Sequence, residues 1–219
     1  MNVLIVGAAG RTGGLLVDRA LAEGHTVTAL ARDPGKVPGP RAGLTAVRAD
    51  VLEPAALTGP MSGQDAVVVA LGVRGRGATT VFSAGCGNVI AAAEAAGVRR
   101  LVAMSSAGLD TGHLPQPQRL VTRLVVGLAY REIHADLARM EEAVRASALD
   151  WTILRAPMLK DGGPTGAYRV AVGGHLDRPG PVDRADVADW IVRDLREPAT
   201  FGQFVEIGGG SAKSSRKAG

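Results

Sequence analysis

The chain has a single cysteine, Cys86, in 219 residues, which excludes an intrachain disulfide and any thiolate cluster around a metal. Aromatic residues make up only 3%. The core must therefore be built from Val, Leu, Ile and Ala, the composition of buried parallel strands covered by helices. No apolar run approaches the roughly 18 to 20 residues of a membrane span, and the first residues enter a strand directly, so neither a membrane segment nor a signal peptide is expected. With the lone thiol, this points to a cytoplasmic protein. A strong charge of one sign is missing too. The formal net charge is +4, but Lys213, Arg216 and Lys217 fall in the last nine residues, and without them 22 basic residues face 21 acidic ones. The surplus belongs to residues 211–219, expected to be a disordered basic tail, and gives no sign of nucleic-acid binding. His25, His113, His134 and His175 are scattered without ligand spacing, so no metal site is expected.

What the chain does have is an N-terminus broken by glycines. Residues 2–14 read N-V-L-I-V-G-A-A-G-R-T-G-G, an apolar, β-branched run that ends in Gly7, Gly10 and Gly13 and opens an amphipathic helix through Leu15, Leu16, Ala20 and Leu21. This G-x-x-G-x-x-G spacing lets the backbone turn sharply at Gly7, clears side chains where a pyrophosphate approaches, and lets the helix pack close to the strand. The helix N-terminus, with unpaired N–H groups and the positive end of its dipole, then favours an anion without needing a lysine. The alternative is a glycine-rich turn that binds no nucleotide. Strand, turn and helix in this order weigh against it.

The rest of the chain alternates strand and helix, with no internal repeat and no linker before residue 211. Strands are expected at residues 26–31, 45–48, 65–71, 101–104, 151–154, 167–172 and 203–207. Helices are expected from Pro54, over 79–96 with Gly97 as cap, over 119–146 with a break at Gly127, and over 183–195. The pattern is α/β: a Rossmann-type doubly wound parallel sheet, in a single domain over residues 1–210.

Ligands of such a sheet lie at the carboxyl ends of its strands. Arg32 ends the second strand and Lys36 follows. A base there accommodates the 2′-phosphate of NADP(H), where an acid would suit NAD(H); otherwise Arg32 is an ordinary exposed arginine. Asp50, after the third strand, is placed either for adenine or for a turn or cap. Gly72 leaves room at the tip of the fourth strand, and Arg74 and Arg76 beyond it are either anion contacts or surface arginines. Ser105 and Ser106 present hydroxyls at the tip of the fifth strand, as ligand contacts or as turn caps. Pro157 fixes the turn after the sixth. Loops 108–118, with His113, and 161–181 are long enough to shape a substrate pocket.

Several short motifs recur in order: the glycine turn, Ala49-Asp50-Val51-Leu52, Gly63-Gln64-Asp65 leading to Leu71-Gly72, Thr79-Thr80-Val81, Gly85-x-x-Asn88 and Ala96-Gly97-Val98. Ser105, Thr165-Gly166-Ala167-Tyr168 and Arg184-x-Asp186-Val187-Ala188 follow. Together, to about Ile207, they resemble the atypical short-chain dehydrogenase/reductases with an NmrA-like, NAD(P)H-binding domain, and among these the biliverdin IXβ reductase (flavin reductase) group. The resemblance implies that Gly7, Ala9, Gly10, Arg11, Thr12 and Gly13 line the phosphates. It puts Arg32 and Lys36 at the 2′-phosphate and Asp50 and Val51 at the adenine. Leu71, Gly72 and Arg74 would face the middle of the cofactor, and Ser105, Pro157 and Met158 the nicotinamide. Ser106, His113 and Tyr168 are expected on the substrate side.

One departure from that family stands out. Many short-chain reductases activate a carbonyl with a Tyr-x-x-x-Lys pair; here the lysine position is Leu137 and the residue four before it is Ile133, so the pair is absent. Tyr130 and His134 form a Tyr-x-x-x-His at helical spacing, although Tyr130 also continues the apolar stripe of Ile133, Leu137, Met140 and Val144. The expected activity is NADPH-dependent hydride transfer to a conjugated acceptor such as a flavin, quinone or tetrapyrrole, or a secondary-metabolite intermediate, with Ser105 the first candidate catalytic residue. Such acceptors delocalise charge and take a proton from water. The alternative is a non-catalytic NADP(H) sensor acting through a protein partner. An epimerase or dehydratase is the weaker third reading, since little chain follows Trp151. A small-molecule substrate and a monomer or homodimer are expected.

Overall fold

β1 (Asn2–Val6) lies inside an eight-stranded sheet, hydrogen-bonded in parallel to β2 (Thr26–Ala31) on one side and β4 (Ala66–Val69) on the other. β3 (Leu44–Arg48) continues beyond β2, while β5 (Arg100–Ser106), β6 (Asp150–Ala156) and β10 (Gln203–Gly209) follow β4, all in parallel. β8 (Tyr168–Val172) closes that edge in antiparallel, giving the order β3-β2-β1-β4-β5-β6-β10-β8. The structure, a computed structural model, describes residues 1–37, 39–73, 75, 77–177 and 179–210; Arg74, Arg76 and the expected tail lie outside them. The order reverses between β1 and β4, and the crevice at the carboxyl ends of those strands is where a doubly wound sheet takes its ligand.

Helices cover both faces. α1 (Arg11–Ala22) and α6 (Arg184–Asp194) pack together on one, over Val3 and Ile5 of β1. α2 (Ala55–Met61), α3 (Ser83–Ala96) and α5 (Arg131–Ala146) cover the other, over Leu4 and Val6. Burial on both faces is why these strands read as unbroken apolar runs. α4 (Gln118–Ala129) leads into α5, and a two-stranded sheet of β7 (Leu159–Lys160) and β9 (Val182–Asp183) ties the segment after β6 to the start of α6. Among the described residues no helix is long and apolar enough to cross a membrane. Cys86 is buried, and burial pushes its thiol up to about 12.

Of the element boundaries that differ from the sequence expectation, three bear on the site. The helix expected from residue 79 starts at Ser83, because its N-terminus is capped from another helix: Asp136 of α5 accepts from Phe82 N at 2.9 Å and from the Ser83 hydroxyl, an acid at the positive end of a helix. The break expected at Gly127 falls at Tyr130, whose backbone leaves the helical region at φ −131° and ψ 14°. β5 runs on through Ser106, so both serines belong to the strand.

Candidate functional site

The chain reverses after β1 at Gly7, with φ +85°. Gly7 N and Ala8 N both donate to Leu30 O, at 3.1 and 3.2 Å, and Gly10 N to Gly7 O at 2.9 Å. A Cβ at Gly7 would lie 2.5 Å from Ala70 O, and one at Gly13 would lie 2.1 Å from Gly7 O. Backbone closeness therefore requires both glycines. α1 opens with no side-chain cap and no acid in its first turn, so its positive end is left for an external anion. This bare turn fits the pyrophosphate of a dinucleotide. Ala9 is exposed and Thr12 half-buried on the same turn. Arg11 is held by Asp161 at 2.8 Å, which also accepts from Arg184 at 2.5 Å, tying the segment after β7 to the start of α1.

Arg32 follows β2 directly and is exposed. The neighbouring acid, Asp33, accepts from Gly35 N at 3.2 Å and pairs with Lys36 at 2.9 Å; the Lys36 hydrogen bond and charge hold its carboxyl below the usual range. Arg48 stands in register with Ala31 at the end of β3, a second base at this edge. Sequence reasoning missed it, although its signal, a base closing a strand, is the one that singled out Arg32. Asp50 Oδ1 accepts from Leu52 N at 3.0 Å, the turn role left open above. Val51 is buried and its carbonyl accepts from Asn88 Nδ2 at 2.8 Å. Gly85 sits so close beneath it that a Cβ would lie 2.7 Å from Val51 Cγ2, so the Gly85-x-x-Asn88 motif fixes the loop bearing Asp50 and Val51. Leu71 is half-buried and Gly72 exposed beyond β4; Arg74 is outside the described residues.

The tips of β5 and β6 carry a denser polar network than the sequence suggested. Ser105 and Arg155 are register partners, and both reach Glu141 of α5. The Ser105 hydroxyl donates to Glu141 Oε1 at 2.6 Å, while Arg155 Nε and Nη2 donate to Oε1 and Oε2 at 3.0 and 2.6 Å. Glu141 is buried, and this fork of charge-assisted bonds is what makes its burial tolerable. Ser106 Oγ lies 3.0 Å from His134 Nε2. Leu137 stays in the core at 6% exposure, so no cation stands where the family's lysine would. Tyr130 packs edge-on to the His134 ring. Pro157 is half-buried and Met158 exposed just beyond β6.

The two expected substrate loops meet. His113 of the first stacks on His175 of the second, with ring centroids 4.0 Å apart, beside a cleft of about 640 Å³ whose walls include Asp110, Glu141, Arg155, His175, Phe204 and Glu206. Tyr168 is not part of this group. It packs with the core beneath α1 and α6, and its hydroxyl donates to Asp189 Oδ2 at 3.3 Å. Burial, then the Asp189 carboxylate, push its phenol above the ordinary value, which makes it a poor proton donor.

A family model described as NAD(P)H-binding matches residues 7–198. The UPF0659 protein YMR090W of Saccharomyces cerevisiae is 31% identical over 96% of this chain and 94% of its own length. Among solved structures, a short-chain dehydrogenase/reductase from Veillonella parvula in complex with NADP superposes with a TM-score of 0.81 at 20% identity, covering 94% of each chain. ChuY of Escherichia coli O157:H7, described as an anaerobillin reductase, does so at 0.77 and 24% identity, covering 97% of this chain and 99% of that one. At such identities the likeness to solved structures is one of fold alone, and NAD(P)H binding rests on the family model.

Proposed function

Because the chain belongs to the NAD(P)H-binding family, we propose that it is an NADP(H)-preferring reductase acting on a flat conjugated acceptor: a flavin, a quinone, a linear tetrapyrrole or a secondary-metabolite intermediate of that kind. The observation that carries this reading is the tip of β5. Where a Tyr–Lys pair would polarise a simple carbonyl, the chain has Ser105 bonded to Glu141 and Ser106 bonded to His134, with Leu137 in the core.

Bound NADPH would supply the hydride. The glycine turn, Thr12 and the start of α1 would hold its pyrophosphate; Arg32, Lys36 and Arg48 its 2′-phosphate; and Asp50, Val51, Leu71 and Gly72 its adenine and middle. Ser105, Pro157 and Met158 would border the reacting ring. Ser105 is kept in orientation by Glu141 and Arg155, and Ser106 with His134 holds a proton at the strand tip for a product that needs one. A conjugated acceptor spreads the incoming charge, so positioning does most of the catalysis. The near balance of charge outside the tail argues against nucleic acid, and the single buried thiol supports a cytoplasmic setting.

A specific observation favours a second reading, the NADP(H) sensor. Leu120, Val121, Leu124 and Leu128 are exposed together on α4, a surface suited to a protein partner. NADPH oxidation with a panel of flat and simple acceptors separates the two: a sensor binds the cofactor and turns over none of them.

A further inference from the structure

Glu206 of β10, almost fully buried, spans the edges of the two stacked histidines. Its Oε1 lies 3.6 Å from His113 Nε2 and its Oε2 3.7 Å from His175 Nδ1. On its opposite edge His175 turns Nε2 toward Asp110 Oδ2, at 3.4 Å. One donor atom each from Asp110, His113 and His175 lies within 4.8 Å of the other two.

Three features set this cluster apart from a hydrogen-bonded one. Its nitrogen–oxygen separations all exceed the roughly 2.7–2.9 Å of a charge-assisted bond. Both ring nitrogens of His113 are buried without a hydrogen-bond partner, and a buried polar group in that state calls for a water or an ion. Charge is the third. Asp110, Glu141 and Glu206 all line the cleft, and Arg155 reaches the first two, Asp110 at 3.8 Å and Glu141 at 2.6 Å. Of these carboxylates Glu206 is the one whose ion pairs among the described residues, to His113 and His175, include no arginine. Among the described residues Glu206 otherwise accepts from Leu176 N, at 2.6 Å.

We propose that Asp110, His113 and His175 bind a divalent transition-metal ion of the Zn²⁺ type, with Glu206 orienting both imidazoles from behind. Glu206 faces Nε2 of His113 and Nδ1 of His175, so the ligating nitrogens are the opposite ones, Nδ1 and Nε2. A carboxylate on the far nitrogen fixes the tautomer and raises the basicity of a metal-bound histidine. Four-coordinate bonds of about 2.0–2.1 Å place neighbouring donors roughly 3.3 Å apart, close to the His175–Asp110 separation. Two imidazoles and one carboxylate suit Zn²⁺ or a similar ion, whereas Mg²⁺ and Ca²⁺ prefer an all-oxygen set. Binding tilts the two rings together at their ligating edges, a side-chain rotation. Asp110 and His175 border the cleft, so the fourth position opens onto it for water or an oxygen anion of a bound molecule. The ion also fastens the segment after β5 to the segment after β8. The site is separate from the phosphate turn and does not depend on the reductase reading.

The test uses the full chain, stripped with a chelator, with Zn²⁺ titrated by calorimetry and Co²⁺ followed by its visible absorption. One equivalent should bind, with the intense bands of four-coordinate Co²⁺, and Zn²⁺ should raise the melting temperature. Loss of binding is expected in His113→Ala and in His175→Ala, and a weakening of about 10–100-fold in Glu206→Gln, while His25→Ala binds as the wild type does. Asp110→Asn, a near-isosteric change, gives the same readout should either alanine variant fail to fold. The proposal is overturned if no saturable equivalent binds, if the histidine variants bind equally well, or if melting responds to pH but not to Zn²⁺, since protons on the two imidazoles would then balance the carboxylates.

Discussion

Ser106 Oγ lies 3.0 Å from His134 Nε2, and the other ring nitrogen of His134 lies 3.0 Å from the carbonyl oxygen of Tyr130. A carbonyl only accepts, so in the neutral ring Nδ1 carries the proton and Nε2 receives the serine hydroxyl. Gly108 N donates to the same hydroxyl oxygen at 3.1 Å, which leaves it one further lone pair. If the acceptor is conjugated, this pair assists and is not essential. His134→Ala should lower the single-turnover rate by no more than about tenfold, against the roughly 10²–10⁴ that a required general acid contributes, with NADPH affinity unchanged. A larger loss would mean a substrate that needs an internal acid.

Gly72 offers a clean probe of where the cofactor runs. A Cβ there meets nothing within 4 Å, so Gly72→Val should leave the melting temperature within about 2 °C of wild type. The branched side chain should nonetheless raise the Kd for NADPH at least about tenfold, or about 1.4 kcal/mol. Gly13→Ala, which collides with Gly7 O, should lower both stability and affinity. Unchanged NADPH binding in a folded Gly72→Val protein would move the cofactor away from the tip of β4.

Arg32 is free of the ion pair that engages Asp33 and Lys36. A charge-assisted hydrogen bond to phosphate is worth roughly 1.5–3 kcal/mol, so Arg32→Ala should weaken NADPH by about 10–100-fold and leave NADH within about twofold. Arg48→Ala should act in the same sense. Equal weakening of the two cofactors, measured by fluorescence titration, would assign the arginine a structural role.

The buried ion pair of Arg100 and Asp194, at 2.7 Å, secures β5 to α6. Arg100 also donates to Asp150 O, Leu195 O and Thr152 Oγ1. Arg100→Ala strands Asp194 and these acceptors and should cost about 3–5 kcal/mol in denaturant unfolding. Burial pushes the Asp194 carboxyl up to about 6 despite Arg100 and Thr200. The folded state therefore binds that proton more tightly than the unfolded state, and the group's contribution to stability falls as pH rises from about 4 through 6. Relative to Asp194→Asn, the wild type should gain stability on acidification from pH 7 to pH 5. The opposite slope would mean that Arg100 outweighs burial.

The strands of the main sheet, the glycine turn and the sheet class were legible because each rests on local information, apolar runs of strand length and glycines where backbones touch, whereas the two-residue strands β7 and β9 carry no such signal. The break at Tyr130 was not. Gly127 is the better breaker on propensity, but on an exposed helix it costs only about 1 kcal/mol, and packing decided otherwise. The start of α3 at Ser83 was equally hidden, since its cap, Asp136, comes from α5. Positions at strand tips pointed to Ser105, but not to Glu141 and Arg155, which complete its network, because register and helix docking bring those together. Likewise His113 and His175 look scattered along the chain and stack only because the segment after the antiparallel β8 leaves beside Phe204 and runs back along β10 to Glu206, where it meets the segment after β5.

The most direct measurement is NADPH oxidation at 340 nm, an assay wavelength set by the cofactor's chemistry, against FMN, a naphthoquinone, biliverdin and a simple ketone, with NADH in parallel. Turnover of at least one flat acceptor, faster with NADPH than with NADH and absent with the ketone, is the predicted result. Tight NADPH binding with no turnover of any flat acceptor, or turnover of the ketone alone, would contradict it.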